Sequence, residues 1–412
     1  MQSRKNRIRK NVMDCLDLSR ELSDEEVGGV IDRCILDEAA HEYIPVKEKV
    51  RLKAEIFNSL RRLDVLTEYL ETEDITEIMV NGYRDIFVER NGRLERVDST
   101  FESEEKLLSV IQQIVAGCNR RINEAEPIVD ARLRDGSRVN IVLQPVSVDG
   151  PIVTIRRFPK EAFDMNRLIA LGAVSQEVAD LLGMLVVSGY NIFVSGGTGS
   201  GKTTFLNALS GYIPKSERVI TIEDSAELQL KGIDNLVRLE ARPSNVEGNN
   251  AVTIRELIRT SLRMRPDRII VGEVRDEAAI DMLAAMNTGH DGSLSTGHAN
   301  SCEDMIKRLE TMVLMGLDIP LVAVKQQIAS AVDVIIHLSR MHDGSRKVWK
   351  ICEVVGMKNG EIRLNTLFEI NDYHNALNNA RGMFRRVNDL MNVDKLLRAG
   401  MLEVYQDVQR EI

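Results

Sequence analysis

The apolar positions of this chain follow a helical period up to about residue 70 and a shorter period after it. In the first part they recur at the spacing of one helix face, in residues 27–35 and again in residues 52–60. These positions are Val27, Val30, Ile31, Cys34, Ile35, Leu52, Ile56 and Leu60. The spacing predicts a helical region over residues 1–68.

Short runs of alternating apolar and polar residues replace this period after residue 70. Three such runs lie between residues 76 and 97, and they are separated by Asn81-Gly82 and Asn91-Gly92, which are typical of hairpin turns. The pattern predicts a small α+β domain over residues 69–157. Its remaining elements are a helix over residues 103–116 and strands near 129–133, 138–142 and 152–157.

A linker over residues 158–168 leads into a region in which helices alternate with apolar strands, as in a parallel α/β sheet. We predict that this α/β domain covers residues 169–371. Its candidate core strands lie at residues 191–195, 219–222, 269–271, 293–296 and 334–338. A helical tail is predicted over residues 372–412. Its first apolar face would consist of Met383, Val387, Leu390 and Met391.

The composition is that of an ordinary globular protein, with 43% hydrophobic and 28% charged residues among 412. Because the net charge is −9 and aromatic residues make up only 4%, no nucleic acid partner is expected. Five scattered cysteines without a C-x-x-C pair favour a reducing compartment. No apolar run approaches the roughly 18 residues that a membrane-spanning helix needs.

The N-terminus carries a cluster of basic residues. No apolar segment follows it, so it does not have the pattern of a secretory signal. Two interpretations stay open, namely contact with an anionic membrane surface and a solvated helix end. The cluster consists of Arg4, Lys5, Arg7, Arg9 and Lys10.

Residues 196–203 read Gly-Gly-Thr-Gly-Ser-Gly-Lys-Thr and match the phosphate-binding loop pattern G-x-x-x-x-G-K-[ST]. We call these residues the phosphate loop. An apolar strand precedes it and a helix follows it, so a helix N-terminus is directed at a bound polyphosphate. Lys202 is expected to reach the β- and γ-phosphate oxygens of a bound nucleotide, and the Thr203 hydroxyl to ligate Mg²⁺. The predicted nucleotide-binding residues here are Gly197, Thr198, Gly199, Ser200, Gly201, Lys202, Thr203 and Thr204.

Carboxylates follow two of the predicted strands. One strand ends in a group that contains Glu223, Asp224 and Glu227, at the sheet edge where α/β folds bind their ligands. A carboxylate there can orient or deprotonate an attacking water. Another strand ends in Gly272-Glu273, and Glu273 is expected to reach Mg²⁺ partly through water. The spacing leaves open which of Glu223 and Glu273 polarises the water.

Two histidines and a row of arginines complete the candidate chemistry. His290 and His298 flank a predicted strand, and His298 lies where a side chain can sense the γ-phosphate. Arg255, Arg259 and Arg263 share one face of a predicted helix. That face is either solvated or part of a subunit interface near a neighbour's nucleotide, and the sequence does not separate these interpretations.

In this order, the glycine loop, the acidic box, the Gly-Glu strand and the histidine box resemble the secretion ATPase superfamily of type II and type IV systems. Further segments are similar to the CpaF-type ATPases of Flp/Tad pilus assembly, and the resemblance covers about residues 70 to 370. These segments are residues 77–82, 130–133, 135–140, 154–158, 263–275 and 286–300.

The resemblance implies a RecA-like P-loop motor domain behind a small N-terminal domain, with ATP in the cleft between them. It implies that Arg138 and Arg156 meet the phosphates. By the same resemblance Glu223 is the acidic-box carboxylate, Glu273 lies on the Mg²⁺ side, and His298 is the second histidine of its box.

The resemblance also implies a cytoplasmic homohexamer that hydrolyses ATP. Such a ring would associate peripherally with the inner face of the cell membrane, through the platform protein of a pilus or secretion system. The zinc-binding four-cysteine module of many type II members is absent from the sequence.

The residues leave other classes of protein open. A P-loop kinase would need an acceptor pocket, and a RecA-type DNA translocase would need a basic groove with stacking aromatics. A nucleotide-binding assembly scaffold would still assemble after loss of hydrolysis. The sequence does not tell whether a pilus is extended, a pilus is retracted or a protein is secreted.

Overall fold

A computed structural model describes the chain at residues 2–17, 19–20, 22–90, 92–118, 120–157, 163–242, 251–370 and 384–410. The chain forms two compact units, Met1–Lys160 and Glu161–Ile412. Among the described helices, none combines the length and the apolar character that crossing a bilayer requires.

Three helices begin the first unit and enclose a core of their own: α1 (Gln2–Cys15), α2 (Asp24–His41) and α3 (Val46–Arg61). The Ser23 side chain accepts a hydrogen bond from the Glu26 backbone, and the Glu26 side chain caps Ser23 in return, which fixes the start of α2. The helices predicted here are confirmed. Most of the predicted apolar positions are buried in this core: Val27, Ile31, Cys34, Ile35, Leu52 and Ile56.

The basic cluster of α1 is paired with carboxylates of its own unit. Since four of these five cations lie beside an acidic side chain, the arrangement favours a helix docked on its own unit over one held at a lipid surface. The pairs are Arg4–Glu48 at 2.8 Å, Lys5–Glu55 at 3.0 Å, Arg7–Glu38 at 2.8 Å and Arg9–Glu102 at 2.5 Å.

An antiparallel sheet of six strands and two helices complete the first unit, as the strand and turn patterns predict. The helices are α4 (Leu66–Glu71) and α5 (Glu104–Gly117), and the apolar face of α5 packs on the sheet. The strands are β1 (Ile75–Asn81), β2 (Asp85–Arg90), β3 (Arg93–Val97), β4 (Ile128–Arg132), β5 (Arg138–Val142) and β6 (Ile152–Arg156). They lie in the order β3-β2-β1-β6-β5-β4.

The second unit is built on a sheet of nine strands, and those at its centre are parallel. The strands are β7 (Ile192–Gly196), β8 (Arg218–Glu223), β9 (Asn235–Glu240), β10 (Arg268–Val271), β11 (Leu294–Gly297), β12 (Val334–Arg340), β13 (Arg346–Lys358), β14 (Glu361–Ile370) and β15 (Phe384–Arg386). Their order is β15-β14-β13-β12-β7-β11-β10-β8-β9. Strands β7 to β12 run parallel, and β13 to β15 add an antiparallel edge. All five predicted core strands are confirmed.

Helices cover both faces of this sheet. Ile192 and Val194 belong to the apolar layer of α7 and α8, whereas Phe193 belongs to the layer of α10, α11 and α12. Strands buried on both faces usually have continuous apolar runs, which is why strands such as 269–271 could be recognised; β11, although buried, contains mainly small polar residues. The helices are α6 (Met165–Ala170), α7 (Gln176–Val187), α8 (Lys202–Ser210), α9 (Ile254–Ser261), α10 (Ala278–Asn287), α11 (Cys302–Gly316), α12 (Leu321–Ala331), α13 (Asp394–Arg398) and α14 (Leu402–Arg410).

The helical face predicted for residues 383–391 is wrong where the structure describes it; Met383 lies outside the described residues. β15 pairs with β14, and the Val387 N–H donates to the Leu367 carbonyl at 2.8 Å. Leu390 is buried in the core of the second unit. The apolar spacing belongs to an extended segment, because pairing with β14 satisfies its backbone. Among the described residues of this tail, the helices are α13 and α14, which lie further on.

Candidate nucleotide-binding site

The phosphate loop lies between the end of β7 and the start of α8, as predicted. A Cβ atom on Gly196 would lie 2.5 Å from Ser200 Oγ and 2.6 Å from the Leu338 carbonyl, so only glycine fits there. Gly201 has a φ of +91° and is the N-cap of α8. The local geometry therefore requires these two glycines, and it leaves the N-terminus of α8 open for an anion.

Lys202 is buried, and its ammonium is held among carbonyl groups of the loop. Nζ donates to the carbonyls of Gly196 at 3.1 Å and Gly197 at 2.9 Å. Nζ also lies 3.3 Å from His298 Nδ1. An ammonium only donates, so this imidazole nitrogen accepts and the ring is neutral with its proton on Nε2. Two predicted site residues are thus in direct contact.

Glu223 ends β8 with a buried carboxylate whose oxygens have unequal surroundings. Oε1 accepts the backbone N–H groups of Glu227 and Leu228, both at 2.9 Å. Oε2 is buried and has no hydrogen-bond partner within the described part of the chain. Burial raises the pKa of this carboxyl to about 7, although the two N–H bonds lower it. A carboxylate that has one oxygen without a hydrogen bond and a pKa near 7 is suited to accept a proton.

Gly272 gives this carboxylate its room. A Cβ atom at position 272 would lie 2.9 Å from Glu223 Cγ. The space that the Glu223 side chain needs therefore explains why a glycine precedes Glu273. The sequence pattern alone did not supply this explanation.

Glu273 follows β10 and contacts two cationic or protonatable side chains. Its Oε1 lies 3.0 Å from His298 Nε2, and its Oε2 accepts from Arg275 Nη2 at 2.8 Å. Burial, and then the charge of Lys202, lower the pKa of the His298 imidazole, which agrees with a neutral ring. Lys202, His298 and Glu273 thus form a continuous row. The structure brings together at this sheet edge the residues predicted from three separate sequence boxes.

Mg²⁺ fits this edge as an ion held mainly by substrate and water. The candidate protein donors are the hydroxyl of Thr203, in the first turn of α8, and the carboxylate of Glu273. The described residues contain no group of three or more His, Cys, Asp or Glu side chains that could cage a metal. Mg²⁺ bound through one or two protein oxygens, phosphate oxygens and several waters matches such a donor set.

Two arginines at this edge were missed by the sequence analysis. Arg346, at the start of β13, donates through Nε to the Gly199 carbonyl at 2.8 Å. Arg275 links Glu273 to the acidic group that follows β8, because it donates to Glu273 and lies 3.5 Å from Asp224. The chain gives no spacing signal for Arg346, since β13 reaches the loop only through sheet pairing. Arg275 stands two positions after Glu273, which was the available signal.

Two other candidates have different surroundings. His290 precedes β11, whereas His298 follows it, so His290 lies toward the amino end of that strand; its Nδ1 is 3.2 Å from the Ala285 carbonyl. Arg255 lies 2.8 Å from Glu277 and from Asp281, and Arg259 also lies 2.8 Å from Asp281. Arg255 and Arg259 are thus paired with carboxylates of the second unit, which agrees better with the solvated face than with the interface.

The remaining predicted residues, Arg138 and Arg156, belong to the first unit. They are partners on the antiparallel strands β5 and β6, so their backbones lie side by side. Arg156 Nε lies 3.9 Å from Glu77 Oε1. That these arginines meet the phosphates of ATP stays a prediction.

The sequence matches the family model described as "Type II/IV secretion system protein" over residues 61–405. It is 36% identical over 311 residues to a putative conjugal transfer protein of Mycobacterium tuberculosis, with 74% of this chain and 87% of that protein covered. It is 32% identical over 302 residues to the type IV secretion system protein PtlH of Bordetella pertussis, with 68% of this chain and 89% of that protein covered.

The fold is similar to a crystal structure of the pilus retraction motor PilT with bound ADP. The TM-score is 0.51 at 20% identity, with 85% of this chain and 90% of that chain covered. At this identity the likeness concerns the fold alone. It confirms the predicted fold class, an α/β domain built on a largely parallel sheet and preceded in the chain by a small α+β domain.

Proposed function

This chain belongs to the family of type II/IV secretion system proteins and is an ATPase, and from that premise we propose that it is a ring-forming motor. In this proposal Mg²⁺-dependent ATP hydrolysis powers pilus assembly or protein secretion across the bacterial cytoplasmic membrane. The observation that supports hydrolysis most directly is the buried, unpartnered Oε2 of Glu223, on a carboxyl whose pKa is about 7.

Glu223 is the general base in this proposal. It takes a proton from the water that attacks the γ-phosphorus, the bond from that phosphorus to the β-phosphate oxygen breaks, and ADP and phosphate leave. Glu273 is less suited to this role, because its Oε2 accepts from Arg275, and its Oε1, although it is buried without a hydrogen bond among the described residues, lies 3.0 Å from His298 Nε2. The geometry thus favours one of the two carboxylates that the sequence left equivalent.

Lys202 and His298 respond to the nucleotide. In the proposed complex, phosphate oxygens replace the Gly196 and Gly197 carbonyls as partners of the Lys202 ammonium. The ammonium then either loses its contact with His298 or moves together with the His298 imidazole. Thr203 and Glu273 would hold Mg²⁺, which neutralises charge on the phosphates when bound. A change at Lys202 therefore reaches Glu273 through the imidazole, which would let this edge of the sheet distinguish ATP from ADP.

The finer parts of the proposal rest on the resemblance to CpaF-type ATPases. They are a homohexamer, completion of each site by Arg138 and Arg156, and peripheral attachment to an inner-membrane platform protein at the cytoplasmic face. Native mass spectrometry with and without ATP would measure the ring. A chain that stays monomeric with ATP bound, yet hydrolyses it at full rate, would refute the ring.

Hydrolysis is tested by phosphate release from purified chain with ATP and Mg²⁺. We expect Lys202→Ala and Glu223→Gln to lower kcat by about 10²-fold or more, and Glu227→Gln, in the same acidic group, to retain most activity. Equal rates for Glu223→Gln and Glu227→Gln would overturn the assignment of the base.

A DNA-transfer motor is the second candidate, because the mycobacterial relative is named a putative conjugal transfer protein. Adding single- and double-stranded DNA to the same assay separates the two. Stimulation of hydrolysis by DNA would favour transfer of DNA, whereas an unchanged rate favours pilus assembly or protein secretion.

A further inference from the structure

The strand that leads into the phosphate loop carries a buried polar contact outside the proposed chemistry. Ser195, on β7, is fully buried, and its Oγ lies 3.0 Å from His337 Nδ1 on β12. The two residues are direct partners on these parallel strands. Ser195 Oγ is also 3.5 Å from the Ile336 carbonyl. Removing the hydroxyl takes this partner from His337 Nδ1, whereas removing the imidazole leaves Ser195 with only the longer contact to Ile336.

This contact adjoins the start of the phosphate loop. Ser195 is bonded to Gly196, whose carbonyl accepts the Lys202 ammonium at 3.1 Å. His337 is bonded to Leu338, whose carbonyl fills the space where a Gly196 side chain would lie. A shift between Ser195 and His337 would therefore move the Gly196 carbonyl and, with it, Lys202.

His337 is also linked to the helix that follows the histidine box. Its strand partner is Lys350, whose Nζ donates to Glu303 Oε1 at 2.7 Å in the first turn of α11. Helix α11 begins four residues after His298 in the sequence. Charged groups from every neighbouring element act on the His337 ring: Glu303 and Asp304 of α11, Lys350 of β13 and Lys202 of α8. Burial outweighs the acidic groups and lowers the pKa of His337, so the ring is neutral near pH 7.

We propose that His337 is a positioning residue for the nucleotide, which holds the start of the phosphate loop in place through Ser195. This inference rests on the proposed function, because it assumes that the loop binds ATP. It assigns a role in nucleotide affinity to a buried histidine that no sequence box contains.

The test measures the Kd of the full-length chain for a fluorescent methylanthraniloyl-ATP at neutral pH. We expect His337→Leu and Ser195→Ala each to raise Kd about fivefold, and the double variant to raise it no further, because both remove the same contact. His337→Asn should restore most of the affinity, since its amide can take the place of Nδ1. If His337→Leu does not fold, Ser195→Ala and His337→Asn still carry the test.

Val334→Ala is the matched control. Val334 is fully buried on the same strand but at its opposite end, so its loss destabilises the fold without touching Ser195. Its Kd should equal that of the wild type. A Kd within twofold of wild type in His337→Leu, or an equal rise in Val334→Ala, would overturn the inference. Tight binding without hydrolysis by the wild-type chain would refute the proposed function instead, and would leave this comparison valid.

Discussion

Gly272 and Glu223 face each other so closely that a methyl group on the glycine would lie 2.9 Å from the glutamate Cγ. Gly272→Ala should therefore displace the carboxylate that we assign as the base. We expect kcat for ATP hydrolysis to fall about tenfold or more, since small misplacements of catalytic groups are costly. Gly117→Ala is the control, because nothing lies within 4 Å of a Cβ there. Wild-type kcat in Gly272→Ala would contradict this account of the glycine.

The raised pKa of Glu223 predicts opposite effects on activity and stability. Glu223 must be ionised to accept a proton, so the rate of hydrolysis should rise with pH through about 7, and this limb should vanish in Glu223→Gln. The assay is kcat measured between about pH 5 and 9. A rate that is flat across neutral pH in the wild type would count against Glu223 as the base.

The contribution of Glu223 to the stability of the fold should fall as the pH rises. The carboxyl has a higher pKa in the folded chain than its ordinary value of 4.5, so folding favours its neutral form. That stability is present below pH 4.5 and is lost as pH rises through about 7. Glu223→Gln cannot ionise, so it should exceed the wild type in stability by up to about 3 kcal/mol at pH 8, and match it near pH 4.5. Urea unfolding at both pH values measures the difference.

Arg346→Ala should weaken nucleotide binding. Arg346 donates to the Gly199 carbonyl, and its side chain lies where a side chain of residue 201 would otherwise lie. Without Arg346, the middle of the phosphate loop loses both contacts. We expect KM for ATP to rise about fivefold with a smaller change in kcat, because a fivefold change corresponds to about 1 kcal/mol, the net contribution of one typical hydrogen bond. Arg385→Ala, at the exposed position of β15, should leave KM unchanged. Equal KM values in both variants would remove Arg346 from the site.

The C-terminal helices are predicted to be part of the motor core. Leu396 is fully buried, whereas its neighbour Leu397 is 62% exposed. Leu396→Ala should cost about 2–5 kcal/mol of unfolding free energy, and Leu397→Ala less than about 0.5 kcal/mol. Denaturant unfolding of the two variants measures this contrast. Similar losses in both would mean that α13 is not packed as described.

The sequence could predict those parts of the fold and site that depend on local chemistry. Core strands such as 191–195 have uninterrupted apolar runs, and the phosphate loop has a fixed pattern of glycines, so both were found. The strand β15 could not be found, because it forms only by pairing with β14 and the apolar residues around it have the spacing of a helix. Arg346 and the contact between Ser195 and His337 depend on strand pairing between distant segments. No spacing along one chain encodes such pairing.

The C-terminal segment is held against the sheet of the second unit by polar as well as apolar contacts. The Glu353 carboxylate accepts the backbone N–H groups of Met391 and Asn392, and Lys395 donates to Asp333, which also accepts the Asn191 N–H. Asn191 immediately precedes the strand that carries the phosphate loop. A fluorophore on the exposed side of α14, for example at the half-exposed Val404, would therefore move together with the sheet of the second unit and not as a free arm.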